Sequence, residues 1–380
     1  MSPAFASATP RRPPRAVGGL AFGAIALLLF SLLRPCAAAP RWGRQLCPAG
    51  ARLAGQAPPE GFERYCVMEH DGDVVRHGAY RSWYDNGRKL VFGRYHLGEK
   101  SGLFYEYHDD GSRKTEARWR AGQRDGPLLA WHRDGRQRLE EHWQRGVRHG
   151  VARSWHANGK PAEEAHYKAG RLQGVWRSWH DNGLPAREGS YDNGQQTGPW
   201  REWYEDGQIK VSGQYREGKE HGDFEVLHPD GTIDWKGHFE FGAKHGEFTS
   251  WHPNGKIASR VTWTFDRRQG KAVTFAASGV IASQTDYVDD RHHGAERSYF
   301  PNGNLQVETT FVEGKRHGPH RRYHEGGRLE VDATYAEDEL HGLYRSWDAS
   351  AVFVLGACYL HGKRAWVSTA EAEVRIRPCP

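Results

Sequence analysis

The sequence predicts an all-β protein: an elongated, single-layer antiparallel meander of about 24 strands, made of twelve 24-residue β-hairpin repeats. Three observations carry this. Glycine recurs at 78, 102, 126, 150, 174, 198, 222, 246, 270, 294, 318 and 342, a spacing of 24 with no insertion. Counting each of these as offset zero, offset nine is glycine in eleven of the twelve units, with Ala351 the exception, and offset seventeen is aromatic in all twelve, from Tyr95 and Trp119 to Tyr335 and Tyr359. The composition agrees: 46 glycines, 15 tryptophans and only 2 methionines suit short strands and tight turns better than a large aliphatic core.

The first segment is not part of the array. In residues 1–39, three arginines precede an apolar run from Val17 to Leu33, and Cys36-Ala37-Ala38-Ala39 follows. A basic start, a short greasy stretch and small residues read as a secretory signal peptide, so the chain is expected to be exported to the periplasm, cell envelope or medium. The alternative is an uncleaved anchor, since 17 apolar residues sit at the short limit for a span. Arg34 and Pro35 before Cys36 disfavour lipidation there. The formal charge is +6, and this segment holds four arginines and no acid, so the remainder carries 6 − 4 = +2. That leaves no electrostatic footprint for nucleic acid.

Residues 40–76 read as an N-terminal cap with Cys47 and Cys66, residues 77–362 as the twelve repeats, and residues 363–380 as a C-terminal cap with Cys379. An even number of cysteines in an exported chain points to disulfides. A linear array places its ends on the order of 100 Å apart, while bridged Cα atoms lie within roughly 7 Å. The expected pairs are therefore the local ones, Cys47–Cys66 and Cys358–Cys379.

Each unit carries two turn signals. An Asn-Gly or Asp-Gly pair stands at offsets eight and nine, as in Asn158-Gly159, and a second signal lies near offset twenty, as in Gly218-Lys219. Two-residue turns at offsets eight–nine and twenty–twenty-one fix the register. They set the offset-seventeen aromatic opposite the offset-zero glycine on both neighbouring strands. They also set Arg153 opposite Glu164, Arg177 opposite Glu188, Arg297 opposite Glu308 and Arg321 opposite Asp332, the charge order that cross-strand pairing favours. One face then holds the aromatics of offsets two and seventeen with small residues such as Gly189, Gly213 and Ala333. The other holds the arginines, the acids and a row at offset five. Unit nine departs most, at Phe275-Ala276-Ala277-Ser278-Gly279, and Asp266, Asp290 and Asp338 replace glycine at the second turn, so distortion is expected over 264–292.

The units resemble the MORN repeat in its bacterial variant form. The pattern of an aromatic, glycine, a polar residue and His-Gly reads here as Tyr215-Arg-Glu-Gly218-Lys219-Glu-His221-Gly222 and Phe311-Val-Glu-Gly314-Lys315-Arg-His317-Gly318, with the downstream aromatic and Asn-Gly as in Trp251-His-Pro-Asn254-Gly255. The resemblance implies elongated β-sheet scaffolds that bind proteins or membrane lipids. Some variant-repeat proteins of bacteria carry an antitoxin label, a cytoplasmic role that an export signal contradicts.

Catalytic signatures are missing. There is no nucleophile elbow, phosphate-binding glycine loop, His-Glu-x-x-His or Cys-x-x-Cys, so no enzyme activity and no cofactor is expected. Of the 22 histidines, seven sit just before offset-zero glycines and another seven at offset six, so equivalent ones lie at least one unit apart. That is roughly 9.5 Å by strand spacing, too far to share an ion whose ligands lie at about 2 Å, and no metal site is expected. The candidate binding residues are the offset-five tryptophans Trp83, Trp131, Trp155, Trp179, Trp203, Trp251 and Trp347. Their structural reading is a ring lying flat on the sheet against the arginine two residues earlier; their functional reading is an exposed aromatic ribbon. The expected function is a non-catalytic scaffold for protein–protein interaction, acting as a monomer, with a peripheral membrane-lipid or glycan binder as the alternative.

Overall fold

The computed structural model describes residues 47–379; residues 1–39, read above as a signal peptide, and residues 40–46 of the expected N-terminal cap lie outside the described residues. Within them the chain forms one antiparallel sheet in which each strand pairs with its neighbours in sequence, and the sheet does not close into a barrel. Of its 33 strand segments, six are two-residue pieces, such as Glu99–Lys100 and Val147–Arg148, that begin the strand after them across a one-residue break. The remaining 27 (33 less six) comprise 24 strands of the repeats, Arg52–Gln56 and Glu63–His70 before them, and Lys363–Ser368 after them.

The first turn of each unit is one residue longer than a two-residue hairpin. Tyr84 N–H donates to the Arg88 carbonyl and Gly87 N–H to the Tyr84 carbonyl, both at 2.8 Å, which leaves three residues in the loop. Only the last of them is left-handed: Gly87 has φ +75°, while Asn86 is not in that region. Glycine at offset nine is therefore the αL residue of a three-residue hairpin. The Asn86 side chain accepts the Arg88 N–H at 3.0 Å, a local bond that explains Asn or Asp at offset eight.

The second turn is a two-residue turn at offsets nineteen and twenty, one residue earlier than the sequence suggests. Leu97 and Gly98 have φ +45° and +83°, and His96 faces Glu99. A bulge at the start of the next strand then restores the expected frame, so that Phe92 faces Tyr105 and Val91 faces Glu106. Offset zero is where the bulge returns to the ladder. Gly102 has φ +78° with nothing within 4 Å of a Cβ placed on it, so backbone conformation, not space, demands glycine there. The bulge corrects one expectation. Tyr95 faces Gly78 within its own hairpin, but across the second turn it faces Lys100 rather than Gly102.

All four expected charge pairs are in register: Arg153 with Glu164, Arg177 with Glu188, Arg297 with Glu308 and Arg321 with Asp332. Unit nine is not distorted. Gly270–Phe275 and Ile281–Val288 pair in the same frame as every other hairpin, with Gly270 facing Tyr287 and Val273 facing Gln284. The aspartates that replace glycine at the second turn adopt its left-handed conformation, at φ +66° for Asp266, +67° for Asp290 and +70° for Asp338. Each carboxylate then accepts a backbone N–H of the preceding turn, from Lys244, Arg268 and Arg316 at 2.9–3.0 Å. That bond offsets the strain of a non-glycine residue in this region.

Repeats are tied edge to edge at both turns. At the second turn, the offset-twenty N–H donates to a carbonyl two strands back in all twelve units, from Gly98 to Arg76 through Gly362 to Leu340, at 2.8–3.1 Å. At the first turn, the offset-six side chain donates to the offset-five carbonyl of the next unit: His156 Nε2 to Trp179 O at 2.9 Å, His180 to Trp203 O at 3.0 Å, and the Tyr204 hydroxyl to Leu227 O at 2.7 Å. His108, His156, His180, His252 and His324 make this bond, so five of the seven histidines at this offset are structural donors.

Buried side chains are few and gather on one face, where offset two of one unit leans over offset fifteen of the unit before it. Phe104, Trp200 and Phe224 are buried there. A Cβ on Gly93, Gly189, Gly213 or Gly237 would meet the rings of Phe104, Trp200, Phe224 and Phe248 at 2.0–2.5 Å.

The ends are stapled. Cys47 bonds Cys66 and Cys358 bonds Cys379, with Cα separations of 5.4 and 5.5 Å; both pairings are the expected local ones. Cys66 and Cys358 are fully buried. The short helix Glu371–Ile376 sets Val374 over Gly356, whose Cβ would meet it at 2.4 Å. It packs on Phe353–Leu360 and Lys363–Ser368.

Candidate binding faces

The seven offset-five tryptophans stand at the end of the first strand of their hairpins, at the register shift that precedes the first turn; Trp179, for example, pairs with Pro185 beyond the shift after Ser178. All seven are half-buried. The row is a set of partly covered rings rather than a freely exposed ribbon. The expected stacking on the arginine two residues earlier is formed by Arg345 over Trp347, at 5.8 Å. Elsewhere the cation comes from a neighbouring strand: Arg113 lies 5.3 Å from the Trp131 ring centre and Lys236 lies 5.4 Å from that of Trp251.

Between the tryptophans, this face carries alternating charge. Arg153 faces Glu164 on one side and Glu140 on the other; Arg177 lies between Glu188 and Glu164; Arg321 lies between Asp332 and Glu308. The closest contacts are 2.7 Å for Arg153–Glu164, 2.8 Å for Arg177–Glu188 and 2.6 Å for Arg297–Glu308. The hydrogen bond from Arg153 holds the Glu164 carboxyl below its ordinary range. Adjacent acids part across the sheet as the alternation requires: Glu164 meets Arg153, while Glu163 accepts the Trp176 indole N–H at 2.7 Å.

The opposite face is an aromatic ladder. Trp176, Tyr191, Trp200, Tyr215 and Phe224 follow one another with ring centres 5.6–6.3 Å apart, each edge to face with the next, and Phe239, Phe248 and Trp263 continue the run. Offset two and offset seventeen alternate along it, an arrangement suited to the ring quadrupole. Cations enter from offset minus two, a row that the sequence reading did not single out although seven units carry Lys or Arg there: Arg76, Lys100, Arg124, Arg148, Lys244, Arg268 and Arg316. Arg268 lies 4.1 Å from the centre of the Tyr287 ring and Arg316 lies 4.2 Å from that of Tyr335. Among the described residues, the one helix packs on the last two strands, and no other helix or second sheet lies over the array.

A repeat of this spacing and register matches a known family model. Residues 148–169, 172–193, 196–217, 244–264 and 293–313 match the MORN repeat variant. These five units are MORN repeats. Each match begins at offset minus two or minus one and ends at or next to the second turn, so the family unit is one strand pair of this sheet. The other seven units share the spacing and the hairpin frame of these MORN repeats. No curated protein matches the sequence. Among solved structures, the Photorhabdus luminescens Tc holotoxin pore is similar at 11% identity and a TM-score of 0.17, over 84% of this chain and 20% of that one. A crystal structure of TcdB2-TccC3 is similar at 10% identity and a TM-score of 0.13, over 85% of this chain. The chain spans about a fifth of the length of these toxin chains.

Proposed function

We propose that this MORN-repeat chain is a non-catalytic scaffold that binds another protein in the cell envelope or outside the cell. The observation that carries the reading is the open sheet: among the described residues, a single layer presents two patterned faces, with no second sheet and one helix, at the last two strands. Large uncovered aromatic surface marks interaction sites in soluble proteins. The two disulfides fit an oxidising compartment. The surroundings of Trp155, Trp179 and Trp347 favour a protein over an anionic lipid, because the arginine two residues before each of these rings is already matched by an acid. A membrane-binding face would carry unmatched basic clusters.

The test replaces Trp155, Trp179 and Trp203 together by serine. Aromatic anchors commonly dominate interface energetics, so the variant is expected to lose capture of its partner from the envelope fraction while its thermal melt stays cooperative. A folded triple variant that still captures the partner takes this row out of the interface.

A further inference from the structure

The MORN-repeat face opposite the tryptophan row carries a built groove in units two to four. Cations and rings interleave there. The Lys100 ammonium lies 4.5 Å from the centre of the Trp119 ring. The Arg124 guanidinium lies 5.5 Å from that ring and 4.9 Å from Trp143, and Arg148 lies 5.7 Å from Trp143 and 5.2 Å from Tyr167. Lys100, Trp119, Arg124, Trp143 and Arg148 together line a groove of about 350 Å³. Arg148 is neutralised inside it by Glu141, at 2.8 Å. Among the described residues, no carboxylate lies within ion-pair distance of Lys100 or Arg124, and the Arg124 Nε is buried with no partner. Two half-buried cations thus stand on aromatic faces with no acid paired to them, although Glu106 and Glu141 also line the groove. Stacking covers the guanidinium faces but leaves its edge, where a carboxylate binds.

Spacing selects the ligand's conformation. Each guanidinium lies about 5 Å from the rings on both sides, so successive rungs are on the order of 10 Å apart, in line with two strand spacings of 4.7–4.9 Å. A polyproline II chain advances 3.1 Å per residue with three residues per turn, so every third side chain points the same way at about 9.3 Å intervals. An extended β-strand covers the same distance in about three residues, but its period of two turns every third side chain to the opposite face. An α-helix returns to nearly the same face after seven residues, close to two turns, but has by then advanced about 10.5 Å, beyond the two-strand spacing. The polyproline II chain, with acids three residues apart, stays most closely in step with Lys100 and Arg124. Aromatic-lined grooves are also the surfaces on which such chains dock. The cations are half-buried between rings rather than projecting, which disfavours a flat membrane.

We propose that this groove binds an extended acidic polypeptide in the polyproline II conformation, with carboxylates three residues apart seated on Lys100 and Arg124 and the intervening residues packed on Trp119 and Trp143. The inference rests on the scaffold reading above and names the chemistry of its partner.

The probe is a fluorescent twelve-residue peptide, four repeats of Glu-Pro-Pro, titrated onto the full chain. Saturable binding is expected, weakened roughly tenfold or more by Lys100→Glu with Arg124→Glu and unchanged by Arg201→Glu, the same kind of charge reversal on the opposite face. A peptide of equal composition, two repeats of Glu-Glu-Pro-Pro-Pro-Pro, should bind clearly more weakly. Should the double reversal unfold, as read by circular dichroism, Lys100→Gln with Arg124→Gln replaces it, with a smaller loss expected. No saturable binding, equal binding of the two peptides, or a loss caused by Arg201→Glu overturns the proposal. So does binding of phosphatidylserine vesicles that depends on Lys100 and Arg124 while the peptide is ignored. A chain that ignores the peptide but still captures an envelope protein leaves the scaffold reading standing and removes this one.

Discussion

Gly213 and Phe224 divide one volume between them. A Cβ at Gly213 would lie 2.3 Å from the phenyl ring, and the same partition recurs along the aromatic face with different shares. Glycine stands under Phe104, Trp200 and Phe248, whereas the bulkier Glu141 and Val261 stand where the next unit offers only Ala152 and Ala272. Offset fifteen and the following offset two therefore behave as one packing site filled to constant volume, as close-packed interiors require. Gly213→Val should cost about 1–3 kcal/mol by overpacking, and Phe224→Ala about 3–5 kcal/mol by leaving a cavity. Joined, they reproduce the Val261 and Ala272 pair, and urea unfolding should show a loss smaller than the sum of the two by about 1–3 kcal/mol. Strict additivity would mean that the two residues do not share the site. The small residues at offset fifteen are visible in the sequence as a row. Their partners are not, because the strand that supplies them follows a turn whose bulge moves the frame.

At the scale of the hairpin, the charge ladder is the part that side-chain chemistry wrote most plainly. Four Arg–acid pairs follow from turn spacing alone, and all four stand in register. Arg177→Glu should destabilise the chain, and adding Glu188→Arg should recover part of the loss, with a coupling of roughly 0.2–1 kcal/mol because both groups are exposed. Chemical denaturation of the two single variants and the double variant measures it, and zero coupling would show that the 2.8 Å contact is energetically idle. The turns themselves were less legible. Asn-Gly is compatible with a two-residue and a three-residue loop, and only the backbone bond from Gly87 to Tyr84 separates them. Asp at the second turn suggested distortion because its φ is unfavourable without glycine. The compensating bond from Lys244 N–H to Asp266 comes from the neighbouring turn, which a single unit's sequence does not contain.

Across the whole array, contacts are local in sequence, so stability is a sum of units and interfaces rather than the property of one core. The end units have a cap strand in place of a neighbouring unit on the outer side, and each end is held by a disulfide with one fully buried cysteine: Cys66 at one end and Cys358 at the other. Reduction should loosen the sheet from its ends. Hydrogen exchange should accelerate first in Arg52–Gln56 and Lys363–Ser368, while the strands of units five to eight keep their protection. Uniform acceleration along the chain would mean that the disulfides act on the array as one cooperative body. The linear arrangement that selects these pairings was legible from the glycine spacing. The functional surface was only half legible, since the tryptophans stand out by residue type whereas Lys100 and Arg124 gain meaning only between the rings of Trp119 and Trp143.

The twelve turn-to-turn bonds at offset twenty reach the same carbonyl position, two strands back, every time. Neither partner depends on which unit it belongs to, so the chain has a natural quantum of length. Losing or duplicating 24 residues joins a donor to an equivalent acceptor and leaves both faces continuous. A change of one residue within a strand exchanges inside for outside in all that follows, until another turn absorbs it. Such a protein can lengthen its reach by whole steps of roughly 10 Å, with the surfaces it offers renewed at each step.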